Sequence, residues 1–107
     1  MIINLTPHTV NLKDFEIPSS GVARVSQNLV VVGVFDGIDL AVAQYGDVVG
    51  LPDSQDNTMF IVSAMVRNAC PDRFDLASPG DLIRDDNGNI IGAKNLIIND
   101  NFRIGEA

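Results

Sequence analysis

Ser63 stands where an N-cap belongs, after the apolar run 59–62 and before residues 64–70, which can make two helical turns. Unpaired backbone N–H groups and the positive end of the helix dipole gather at such a start, so an anion is attracted there. Arg67 falls about one turn further on. Its planar guanidinium can bind two oxygens of a phosphate or carboxylate together, and Arg24 and Arg73 offer the same chemistry. The plainer reading is that Ser63 only caps the helix and that Arg67 pairs with one of many carboxylates.

His8, the one histidine, can exchange a proton near neutral pH. Alone it makes no ordinary histidine metal site, and Cys70, the one cysteine, would be its only soft companion. A Cys–His nucleophile needs the two side chains in contact, whereas Cys70 precedes Pro71 at the apolar end of the helix, where buried thiols are usual. His8 reads better as a structural or ligand-stacking residue. Tyr45 before Gly46 could also stack on a flat ring. The run Asp85-Asp86-Asn87-Gly88-Asn89 resembles a calcium loop only at first sight. An EF-hand counted from Asp85 would need glycine at Ile90 and an acid at Leu96, so a hairpin turn is expected. Glycine-rich phosphate loops are absent from the sequence. No motif commits the chain to catalysis, to a metal or to a cofactor.

These residues need elements to hold them. Ile2 and Ile3 start a strand that Pro7 interrupts, and Val10 and Leu12 alternate with Asn11 and Lys13, the period of a half-buried strand. Residues 18–21 form a turn, and 22–26 alternate again. Residues 29–35 are continuously apolar and β-branched apart from Gly33, which fits a strand covered on both faces by the core or by a second subunit. Asp36-Gly37 is a hairpin turn, residues 38–43 return, and Tyr45-Gly46-Asp47 bends the chain. Residues 51–58 form a polar loop, 59–62 a buried strand, 63–70 the one helix, and 74–80 a loop. Residues 81–84 and 89–92 make a hairpin about Asn87-Gly88, residues 96–98 a last strand, and the tail 99–107 is expected to fray or exchange with a neighbour. The expected fold is a single α+β, β-rich domain over residues 1–107: a small mixed or antiparallel sheet or barrel with one short helix at about residues 63–70.

Composition limits the partners. The 107 residues carry a net charge of −7, and the seven cations form no cluster. Nucleic acid and anionic membrane surfaces are therefore not expected partners. One cysteine asks for no oxidising compartment, and the start of the chain lacks the pattern of a signal peptide, so a cytoplasmic location is expected.

Asn4-Leu5-Thr6-Pro7-His8-Thr9-Val10, Gly21-Val22-Ala23-Arg24-Val25, Tyr45-Gly46, Gly50-Leu51-Pro52, Ile61-Val62-Ser63-Ala64 and Ile83-Arg84-Asp85 follow one another along nearly the whole chain. In this order they resemble a family of short phage and prophage proteins. The chain departs from that pattern in its more apolar residues 29–40 and its longer tail. The resemblance implies a phage or prophage setting, hence the host cytoplasm, and carries over no catalytic residue. By analogy with unrelated phage proteins that trap nucleotide-derived immune signals between subunits, the leading expectation is a non-catalytic, homo-oligomeric protein sequestering a small anionic or nucleotide-like ligand. Its site would combine Thr6, His8, Arg24, Tyr45, Ser63 and Arg67, the arginines and helix start holding phosphate and His8 or Tyr45 stacking on a base. The alternatives are an acidic inhibitor of a basic host protein, a virion or assembly component, and last a phosphodiesterase-like hydrolase.

Overall fold

A computed structural model describes residues 1–12 and 14–103. Lys13 and the end of the expected tail, residues 104–107, lie outside the described residues. Six strands form one mixed sheet: β1 (Ile2–Asn4), β2 (Val10–Leu12), β3 (Phe15–Ile17), β6 (Met59–Ile61), β7 (Leu76–Arg84) and β8 (Ile90–Ile98), in the order β1-β6-β7-β8-β2-β3. The sheet nearly closes into a barrel, because β1 also meets the chain just beyond β3. Asn4 bridges Ser19 in parallel, Ser20 N–H donates to Asn4 C=O at 2.8 Å, and Ala23 N–H to Leu5 C=O at 3.0 Å. One short helix, α1 (Ala64–Ala69), lies against this body, with Ser63 as its N-cap and Cys70 as its C-cap. The expected fold class and helix are what the chain adopts.

The continuous apolar run 59–62 is explained by burial of both faces of β6. Phe60 and Val62 join Leu5, Ala23, Leu76 and Val66 of the helix in the core cluster. Ile61 points the other way, beside its register partner Ala77, and both are fully buried.

Three expectations need correction, the first being the separate arm 89–92 and last strand 96–98, which are one strand, β8, paired along β7. Pro79 and Gly80 give residues 74–80 the look of a loop, yet β7 runs from Leu76 straight through them. The β6–β7 ladder ends with Val62 N–H donating to Ala77 C=O at 2.8 Å. The next donor in a parallel series would be residue 79, so proline costs nothing where β6 has already turned into the helix. The bend at Tyr45-Gly46-Asp47 is instead a bulge within a long strand. β4 (Arg24–Phe35) and β5 (Ile38–Val49) pair with each other alone, and Gly46 and Asp47 together oppose Ser26. A side chain on residue 46 would run into the Ser26 hydroxyl. β3 was not anticipated, since no turn signal separates it from β2.

The β4–β5 ribbon decides the shape. It turns at Asp36-Gly37, both at positive φ as a two-residue hairpin requires. Its base is seated on the core through Val25 and Val48, but the apolar run 29–35 is not covered by the chain's own core. Leu29 is 71% exposed and Phe35 66%. The radius of gyration is 16.1 Å, against about 13 Å for a compact domain of this length.

Candidate functional site

Asn4 organises the first of two hollows. Its side chain is fully buried, and all its hydrogen-bonding capacity is used. Nδ2 donates to His8 C=O at 2.9 Å and to Ile17 C=O at 2.8 Å. Oδ1 accepts from the Thr6 backbone N–H at 2.9 Å and lies 2.7 Å from the Thr6 hydroxyl. Ser19 Oγ closes the other side by donating to Thr6 C=O at 2.6 Å. Residues 4–8 are thereby locked as a turn that ties β1 to β3, and the exposed His8 side chain is carried on a rigid support.

That turn forms one wall of a cleft of about 370 Å³. Thr6, His8 and Ser63 line its polar part, and Leu82, Ile90 and Ile91 its apolar part. Three of the six expected site residues therefore share one hollow, although they are far apart in sequence. Its described lining contains no arginine or lysine. Ser63 Oγ is engaged as the cap, accepting from Val66 N–H at 3.2 Å.

Arg67 lies in the last turn of α1 and faces a second hollow of about 420 Å³, which Asn99, Asp100 and Asn101 also line. Its Nε donates to the buried Ser78 hydroxyl and its Nη1 to Asn99 Oδ1, both at 2.9 Å. The expected carboxylate partner is replaced by two neutral ones. Among the described residues Arg67 makes no ion pair: the two neutral partners fix its geometry, and Asp100 is the carboxylate that lines the same hollow. The two hollows flank adjacent residues of β7: Ser78 holds Arg67, and Pro79 lines the first cleft.

Arg24 and Tyr45 are placed elsewhere. Both are exposed on the ribbon, Arg24 at its base opposite Val49 and Tyr45 opposite Gln27. Within one chain, then, the six residues do not meet. Arg73 finds its carboxylate inside the protein, gripping the buried Asp75 with two hydrogen bonds of 2.9 and 3.0 Å. It also donates to Pro52 C=O and lies over the Phe60 ring, which pins the polar loop to the core.

Cys70 and His8 are not brought together, because His8 lines the cleft at the helix start and Cys70 closes the far end. Burial pushes the Cys70 thiol above its ordinary value, against the opposing pull of Arg73. Asp85 is used by its own turn, its Oδ1 accepting from the N–H groups of Asn87 and Asn89 at 2.9 Å. No group of three or more metal-ligating side chains occurs among the described residues. No helix among them is long and apolar enough to cross a membrane. Sequence reasoning missed Asn4, Asn99 and Asn101, whose only signal was an asparagine beside a turn. No family model, curated protein or solved structure matches the chain.

Proposed function

We propose that this chain is a non-catalytic, homo-oligomeric binding protein of phage or prophage type that sequesters a small anionic, nucleotide-like ligand in the host cytoplasm. The observation that carries this reading is Arg67. A guanidinium fixed by Ser78 and Asn99, free of carboxylate partners among the described residues and facing a hollow of about 420 Å³, is prepared for phosphate. The first cleft, with Thr6, His8 and Ser63 beside an apolar wall, suits a flat, uncharged group. Arg24 and Tyr45 join the site from the ribbon of a second copy. Electrostatic focusing in a hollow offsets the acidic surroundings. The resemblance to short phage proteins agrees with this setting.

Calorimetry of the purified protein against cyclic nucleotides and ADP-ribose derivatives tests the reading. Saturable binding that Arg67→Gln weakens at least tenfold, with the ligand recovered chemically unchanged, is the expected outcome. Silence across that panel would remove the ligand class. The acidic-inhibitor reading keeps one observation in its favour, the net charge of −7.

A further inference from the structure

The ribbon is apolar on both faces. Register partners share a face, and so do residues two apart on a strand. Leu29, Val31, Val34, Ala41 and Ala43 therefore lie on one side, and Val30, Leu40, Val42, Phe35 and Ile38 on the other. Neither side is covered: Val31 is 56% exposed, Val34 63%, Ile38 65% and Leu40 48%. The exposed apolar surface of the ribbon is on the order of 1,000 Å², whereas the largest patch on a typical monomer is about 300–600 Å². The whole chain exposes 7280 Å², and a compact protein of its mass would expose about 5,800 Å². An isolated two-stranded ribbon is at best marginal in water.

From this we infer that the β4–β5 ribbon is an obligate self-assembly surface, clamped on its two faces by different neighbouring copies of this chain. The particle holds more than two chains. The inference rests on the homo-oligomer of the reading above and adds its surface and its minimum size.

The occupant is another copy for three reasons. The strand from Val25 to Phe35 carries no charge, and Asp39, opposite Val34 near the hairpin tip, is the one ion on these faces that stacked ribbons must leave at a wet edge. A surface this apolar must be covered as soon as it forms, and the partner always at hand then is the next copy. Beyond Arg24 the ribbon bears Asp36, Asp39 and Asp47 and no cation, which disfavours an anionic lipid surface. The number of copies follows from shape. A ribbon of twelve-residue strands is about 40 Å long. The described hollows of the body, about 370 and 420 Å³, are too small to enclose it. One neighbour covers one face, with an area near the roughly 800 Å² per partner of a standard interface only if most of that face is used. A symmetric pair stacked on a single face leaves the other in water.

Native mass spectrometry and sedimentation equilibrium of the full chain decide the point. The unmodified protein is expected as three or more chains, with slow hydrogen exchange at residues 28–42. Val31→Asp and Leu40→Asp charge opposite faces, and each should yield a smaller particle whose body keeps its β circular dichroism. A dimer with one ribbon face exchanging freely overturns the inference and leaves the ligand reading standing, since calorimetry reads that separately. A monomer overturns both the inference and the homo-oligomer. Unchanged mass in both variants, or a ribbon protected only by added vesicles, also overturns it. Should either variant fail to fold, the mass and exchange pattern of the unmodified protein still give the answer.

Discussion

A single buried amide does much of the closing of this barrel. Asn4 supplies two donors to the carbonyls of His8 and Ile17 and an acceptor to Thr6, with no capacity left over. Asn4→Asp keeps the shape but replaces the donors by an anion facing two carbonyl oxygens. It should cost about 3 kcal/mol or more in urea unfolding at neutral pH, and the loss should shrink in acid as the carboxyl regains a proton. Arg73→Ala strands the carboxylate of Asp75, which is 1% exposed, and should cost about 3–5 kcal/mol in the same measurement. Cys70 gives a pH dependence of known sign. Its folded pKa is raised by burial above the ordinary 9.0, so the folded state holds the thiol proton more tightly than the unfolded chain. That contribution to stability is fully present below pH 9.0 and is lost as pH rises through the folded value. Alkylation of the thiol near pH 8 should accordingly run slower than for an exposed cysteine. The residues 4–8 were legible as a motif, and Ser63 as a cap. That Asn4 turns inward was not, because an amide inside and an amide in a surface turn leave the same trace in one sequence.

At the scale of elements, local rules worked where a backbone requirement was strict. Asp36-Gly37 and Asn87-Gly88 marked both hairpins, and Ser63 and Pro71 bracketed the helix. They failed where partners decide. Pro79 reads as a breaker until the end of β6 leaves that edge free, and Tyr45-Gly46-Asp47 reads as a bend until a paired strand turns it into a bulge. The run 29–35 announced a strand buried on both faces, and a second subunit was one of its two readings. No pattern in a single chain could rank that against the core. Gly50 fixes where the ribbon leaves the body. Its φ is +84°, and a Cβ there would lie 2.5 Å from the Val22 carbonyl oxygen. Gly50→Ala should therefore destabilise by about 2 kcal/mol through strain and a backbone clash. It should also speed hydrogen exchange at the ribbon base around Val25 and Val48 more than in β7 and β8.

For the whole molecule, the site was the least legible part. Thr6, His8 and Ser63 converge, Arg67 faces a separate hollow, and Arg24 and Tyr45 stand on the ribbon. Spacing along the chain cannot report such a division. Charge separates the two readings of what the ribbon and the acidic surface are for. Copies carrying −7 each repel one another, and the attraction that would join them is apolar burial of an uncharged strand. Salt shortens the reach of the repulsion to about 8 Å at 0.15 M and about 3 Å at 1 M, and leaves the apolar attraction intact. Self-assembly should thus hold or strengthen between 0.05 and 1 M sodium chloride, a range of roughly four- to fivefold in screening length. Capture of a basic protein by the same acidic surface should weaken steeply over that range. Sedimentation equilibrium across the series reads the difference directly: a particle that comes apart as salt is added would mean that ion pairs, not the ribbon, hold it together.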